Sequence, residues 1–169
     1  MTYNVRDLRK RVGNQAHHET TFVLPDLGVV ATRVPPDSPI TLTVELEAIS
    51  GGVSVSGSLS ARYVGECRRC LDPVSGDLEL GVHETFEISP TEGETYPIEG
   101  DQISFEALVR EAIVLALPLA PLCREECPGP EPEVFPIVVE GDAGAVPADP
   151  RWAALDGLRS ALESGTDSR

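Results

Sequence analysis

Four cysteines in 169 residues are the side chains best suited to chemistry, and they fall into two close pairs. Cys67-Arg68-Arg69-Cys70 and Cys123-Arg124-Glu125-Glu126-Cys127 each carry two thiols on a short stretch of chain. A tight loop of that kind can point both sulfurs at one centre, so two pairs suit a tetrahedral zinc site. The 52 residues between Cys70 and Cys123 far exceed the spacing of a compact zinc ribbon. A shared site would therefore pin together two elements that lie far apart in sequence. Arg68, Arg69 and Arg124 stand beside the thiols and are placed to offset the net negative charge that four thiolates leave on Zn²⁺. Two other readings stay open. One is redox chemistry at Cys67 and Cys70, because neighbouring arginines would lower a thiol pKa, although no thioredoxin-like βαβ pattern surrounds them. The other is that the cysteines are small apolar residues with no special role.

Nothing else in the chain has the spacing of a catalytic centre. There is no G-x-S-x-G, no glycine-rich phosphate loop and no H-E-x-x-H. His17 and His18 sit in a polar N-terminal segment, and His83 falls on the polar face of a strand. The alternating Ser54, Ser56, Ser58 and Ser60 read as a wet sheet face. No enzyme activity and no small-molecule substrate is expected.

The elements that must position the cysteines follow from periodicity. Residues 40–48, ITLTVELEA, alternate apolar with Thr and Glu, as a half-buried antiparallel strand does. Gly51-Gly52 marks a turn, and Val53, Val55, Leu59, Ala61 and Tyr63 then alternate with Ser and Arg. Gly57 interrupts that apolar face, which indicates a bulge or a close approach of backbone. Leu78, Leu80, Val82 and Phe86 make a third strand. Shorter strands are expected at residues 20–24 and 29–34, and a short strand or turn at residues 4–9. Residues 89–100 read as an acidic loop. One strong helix runs over residues 105–117, with Ser104 as N-cap and Pro118 as its stop. Its later half is apolar all round, which predicts burial on two sides. The fold class is α+β: an antiparallel meander, partly barrel-like, packed on one buried helix, with a C-terminal helix.

Residues 1–127 form the predicted domain, beginning in a short basic N-terminal arm. Residues 128–150 are a Pro-rich acidic linker, with a possible edge strand at residues 134–139. Residues 151–169 hold the C-terminal helix and tail, in which Asp149 caps and Trp152, Leu155, Leu158 and Leu162 form an apolar stripe.

The formal charge of −15 divides into +3 over the first eleven residues, from Arg6, Arg9, Lys10 and Arg11 against Asp7, and −18 over the rest. So acidic a body repels phosphate and excludes a sequence-independent grip on nucleic acid. The basic start reads as a solvated terminus more readily than as an RNA-binding arm. With 41% apolar residues the chain can build a core. No apolar run approaches a bilayer span, and the start lacks the apolar region of an export signal. A cytoplasmic protein with no membrane contact is expected.

Three stretches together carry a family resemblance: V-x-V-x-G-x-L, then C-R-R-C-L-D-P-V, then F-E-A-L-V-R-E-A-I-V-L-A-L-P-L-A-P-L-C. They resemble the bacterial YceD family, domain of unknown function 177, known as large ribosomal RNA subunit accumulation protein. The similarity is of the actinobacterial type, runs over residues 40–127, and is weaker at V-R-D-L and D-P-R-W-A-A-L-D-G-L. It implies a non-enzymatic role in synthesis, processing or stability of large-subunit (23S) ribosomal RNA. It also carries Cys67, Cys70, Cys123 and Cys127 over as matched candidate metal positions. Similar proteins often have a further cysteine pair beyond the position of Cys127. Here the chain reads C-P-G-P-E-P-E-V-F-P, which narrows a metal site to these four thiols. Charge and resemblance combine into one expectation: the direct partners are basic ribosomal proteins or large-subunit assembly factors, and ribosomal RNA is reached indirectly. The rival expectation is a cysteine-dependent redox or metal-linked regulatory protein.

Overall fold

A computed structural model describes residues 1–134. The predicted edge strand at residues 134–139 lies almost wholly, and the C-terminal helix wholly, outside them. Residues Met1–Pro130 make one compact unit.

The strict alternation of residues 40–48 becomes β4 (Ile40–Ile49), with Ile40, Leu42, Val44, Leu46 and Ala48 all buried. Its successors are two long strands, β5 (Gly52–Glu66) and β6 (Pro73–Glu87), paired antiparallel along their whole lengths. Gly51, at φ +89°, makes the turn between β4 and β5. Before them come β1 (Thr2–Asn4), β2 (Gln15–Phe22) and β3 (Thr32–Arg33); after them come β7 (Tyr96–Glu99), β8 (Gln102–Ser104) and the helix α1 (Glu106–Ala116). The hydrogen-bonded order is β1-β8-β7-β6-β5-β4-β2, with β3 beside the end of β5.

β1 and β2 are the two ends of that path, yet the Tyr3 and His18 rings lie 4.9 Å apart, and His18 stacks at 5.9 Å from Phe105. The sheet is therefore curled until its edges meet through side chains. Phe86, Phe105, Ile103, Leu108 and Ile113 fill the inside.

The meander of β4, β5 and β6 and the one α-helix among the described residues agree with expectation, but the sheet is mixed. β7 pairs parallel to β6 at Phe86–Tyr96 and Glu87–Pro97. It occupies part of the segment read as an acidic loop; only two residue pairs are parallel, so a short return through residues 88–95 suffices. The basic start is no free arm either. β1 pairs with β8, and Val5 and Leu8 are buried, while the charged ends of Arg6, Lys10 and Arg11 stay exposed. His17 and His18 belong to β2, not to a polar lead-in. The expected strand at residues 29–34 contracts to β3. At Gly57 there is no bulge: register with both neighbours is continuous, and a Cβ there would overlap the Thr43 carbonyl oxygen. The close-approach reading holds.

α1 begins after Phe105, which makes no side-chain cap; Ser104 Oγ instead accepts from the Glu106 amide at 3.4 Å. The helix ends at Leu117, whose ψ of 128° is the extended geometry demanded before Pro118. Leu108, Val109 and Ile113 are buried, but Leu115 is 87% exposed, so burial is one-sided. The last turn carries no partner over that face among the described residues.

Tyr96, at the start of β7, donates its hydroxyl to Glu111 Oε2 at 2.6 Å. Burial and then the Glu111 carboxylate push its pKa above the ordinary tyrosine range. A raised folded-state pKa favours the protonated fold: its contribution is complete below the unfolded value and is lost as pH climbs through the folded one. Alkaline titration followed by ultraviolet absorbance will show one of the three tyrosines ionising later than the others, and Tyr96→Phe removes that late component.

Candidate metal centre

The Cys67 pair is the tip of the long β5–β6 hairpin. Leu71 at φ +64° turns the chain there, and its amide donates to the Cys67 carbonyl at 2.9 Å. The Cys67 amide donates to the Asp72 carbonyl at 2.8 Å. This small knuckle holds Cys67 inward and leaves Cys70 half-buried. The second pair lies on the stretch leaving α1, where Pro118 directs the chain off the helix. Two hydrogen bonds fix that stretch: the buried Thr32 hydroxyl donates to the Pro118 carbonyl at 2.9 Å, and the Arg68 amide donates to the Pro121 carbonyl at 2.9 Å. Thr32→Val keeps the shape but leaves that carbonyl unpaired, so urea unfolding is expected to show a loss of about 1 kcal/mol.

These contacts bring all four sulfurs within 4.8 Å of one another. Cys67 Sγ lies 3.8 Å from Cys127 Sγ, and Cys70 Sγ lies 3.6 Å from Cys123 Sγ. Both separations are far beyond the ~2.05 Å of a disulfide. They agree with the ~3.8 Å edge of a sulfur tetrahedron around a metal at about 2.3 Å. Cys67 and Cys127 are buried and Cys123 is exposed, so the centre has a closed and an open side. The donor set and its spacing fit a thiophilic metal ion, and the four cysteines could hold one.

The thiols are not equivalent. The Cys70 amide, aided by those of Arg69 and Cys123, brings the Cys67 pKa down to about 6 against the effect of burial. Cys123 is pushed up by loss of water around it and by Cys127. For Cys70 the Asp72 amide lowers the pKa, but burial and the Asp72 carboxylate outweigh it, and the net shift is upward. Four adjacent thiolates repel one another, and a divalent cation at their centre relieves that repulsion.

Of the arginines placed beside the thiols, Arg69 plays a definite part. Its guanidinium donates to the Cys127 carbonyl at 2.9 Å, and its amide lies 3.5 Å from Cys67 Sγ. It thus joins the two halves of the cluster through backbone as well as sulfur. The side chains of Arg68 and Arg124 are exposed and make no hydrogen bond or ion pair with a described residue. Asp72, whose Oδ2 is 3.2 Å from Cys70 Sγ, was not singled out by the sequence. Its position two residues after Cys70 was the available signal.

A curled, mostly β domain with one α-helix among the described residues, and four thiols joining its hairpin tip to its helix exit, defines the class of protein. Within it, the family model of the large ribosomal RNA subunit accumulation protein YceD matches residues 55–159, from β5 through both cysteine pairs. The chain belongs to this family. Similar proteins from Mycobacterium bovis and Mycobacterium tuberculosis, each described as an uncharacterized protein, are 31% identical over 164 residues, covering 92% of this chain and 79% of theirs. One from Mycobacterium leprae, described in the same way, is 29% identical, covering 92% of this chain and 76% of its own. No solved structure matches. Among the described residues no helix is long and apolar enough to cross a membrane.

Proposed function

We propose that this protein is a non-enzymatic, cytoplasmic ribosome-biogenesis factor that supports synthesis, processing or stability of large-subunit (23S) ribosomal RNA through protein contacts. Family membership supports the ribosomal setting, and the formal charge of −15 supports basic protein partners over direct phosphate binding. Ribosomal proteins or large-subunit assembly factors of basic character are the partners, and ribosomal RNA is reached through them. The observation that carries the structural half of the reading is the convergence of four thiols from two distant segments. Cys67, Cys70, Cys123 and Cys127 hold structural Zn²⁺, and the metal supplies a cross-link between hairpin and helix exit rather than a reactive centre. Asp72 and Arg69 orient the ligands and their backbone.

Affinity purification of the full chain, read by mass spectrometry, tests the function: enrichment of large-subunit precursors is expected, and their absence removes the reading. Tight binding of ribosomal RNA fragments at physiological salt, with no binding of basic ribosomal proteins, would overturn the protein-contact mechanism. The lowered Cys67 pKa favours one rival, a cysteine-dependent redox or metal-linked regulator. Replacing Cys67 and Cys70 by Ser separates the two. Zinc release with lost stability supports the structural role; retained folding with lost thiol reactivity supports the redox one.

A further inference from the structure

β6 is paired with β5 over its full length, but on its other side it meets β7 only at Phe86 and Glu87. From Pro73 to Thr85 that second edge receives no main-chain hydrogen bond from any described residue. A bare edge of this length is a template for another strand, and folds usually cover it. Here it faces a trough. An open cavity of about 480 Å³ runs between the middle of β6 and the outer side of α1, walled by Leu80, Val82, Ala112 and the exposed Leu115. A second cavity, of about 490 Å³, shares Tyr96, Glu84 and Glu111 with the first and continues to the loop bearing Glu92 and Glu94. Glu79 also lines the first. Among the described residues the walls of the two cavities carry no Lys or Arg, and His83 is the one group there able to become cationic.

We propose that this trough is the docking site for an extended, basic segment of a partner protein, which adds as a strand to the edge of β6 that no described residue pairs. Three chemistries meet in the trough. The unpaired edge supplies main-chain donors and acceptors, the Leu115 side supplies an apolar wall for alternate side chains, and the carboxylates favour Lys or Arg at the positions between. A second copy of this chain is a poor occupant. Pairing two β6 edges antiparallel about Leu78 sets Asp77 of each copy opposite Glu79 of the other, and every register lays a strand bearing Asp77, Glu79, Glu84 and Glu87 beside an equally acidic one; like charges across a strand pair destabilise it. A helical segment fills the trough without satisfying the edge. The inference rests on the protein-contact reading and gives it a surface.

The test uses the full chain and a short end-blocked peptide of alternating lysine and valine, followed by amide chemical shifts. Expected are shifts confined to β6 between residues 77 and 85 and to α1 between residues 111 and 116. Two controls, alternating glutamate and valine, and the lysine peptide with N-methylated backbone amides, should bind at least about tenfold more weakly. Leu115→Asp, at a position already in solvent, should keep the native amide spectrum and weaken the lysine peptide by a similar factor; Glu79→Gln with Glu111→Gln serves as the second variant. Shifts at other faces, equal binding of the N-methylated peptide, indifference to both variants, or no binding would each overturn the proposal. Purification of large-subunit precursors with wild type and Leu115→Asp in parallel separates the two levels. Equal enrichment by both removes this trough as the docking site and leaves the functional reading standing. No enrichment by wild type removes that reading, while the peptide result still decides what the edge binds.

Discussion

Cys67→Ser, or chelation of the native protein, is expected to lower Tm by about 10 °C. A ligand held only by the folded state stabilises it in proportion to the logarithm of its concentration over its dissociation constant, and structural zinc sites are tight. The domain has an extensive apolar core apart from the cluster, so loss of the proposed metal is expected to weaken it without abolishing folding. The effect should be asymmetric across the four ligands. Cys67 and Cys127 are enclosed by protein, whereas Cys123 is open to solvent and water can replace its sulfur. Cys123→Ser is therefore expected to cost less than Cys67→Ser. The measurement is differential scanning calorimetry with metal content determined on the same samples. Equal Tm values for native, chelated and Cys67→Ser protein would remove the structural role.

Gly57→Ala is the second large effect, a loss on the order of 3 kcal/mol or more in urea unfolding. Gly57 sits in the central strand β5, flanked by Val44 on β4 and Val82 on β6. A Cβ there would overlap the Thr43 carbonyl oxygen and lie 2.8 Å from Val44 Cα, and both obstacles are backbone. Relief requires β4 to move, which disturbs its register with β2 as well. Gly81, one strand away, provides the contrast: a Cβ at that position meets nothing within 4 Å. Gly81→Ala is expected to be neutral or slightly stabilising, because glycine in a strand carries an entropic cost that alanine lacks. If both substitutions behaved alike, close packing at Gly57 would not be the cause.

What the chain revealed in advance follows from how local the determining physics is. β4, β5 and β6 were legible because one face is buried and the other wet, so alternation is written into every second residue. The end of α1 was legible because Pro118 excludes helical geometry at Leu117. β2 was legible only at its end, where a strand is expected at residues 20–24; its earlier half-buried positions, Ala16 and His18, make a face too polar to stand out until Tyr3 and Phe105 are seen beside His18. β7 is four residues, one of them Pro97, in an acidic stretch, and its parallel pairing exists only through tertiary contact. The exposure of Leu115 has the same origin: helical period gives the positions that share a face, not whether anything covers them. At the cluster, the pairing of cysteines within each motif was readable, and the long-range closure was only an expectation. Arg69 and Asp72 owe their roles to the knuckle geometry, which no spacing rule contains.

The sulfurs that stand side by side are separated by 53 and 60 residues along the chain. All of β6, β7 and β8 and the whole helix lie between them, so the two halves of the cluster cannot meet until that intervening chain has been laid down and packed. Contacts of such long range form late in folding, after the entropy of closing the loop has been overcome. A metal bound through all four thiols is therefore held only by a chain whose helix is already seated. A metal held by the cluster would be a chemical mark of maturity: it would distinguish a finished molecule from one still folding, by a criterion that neither cysteine pair can satisfy alone.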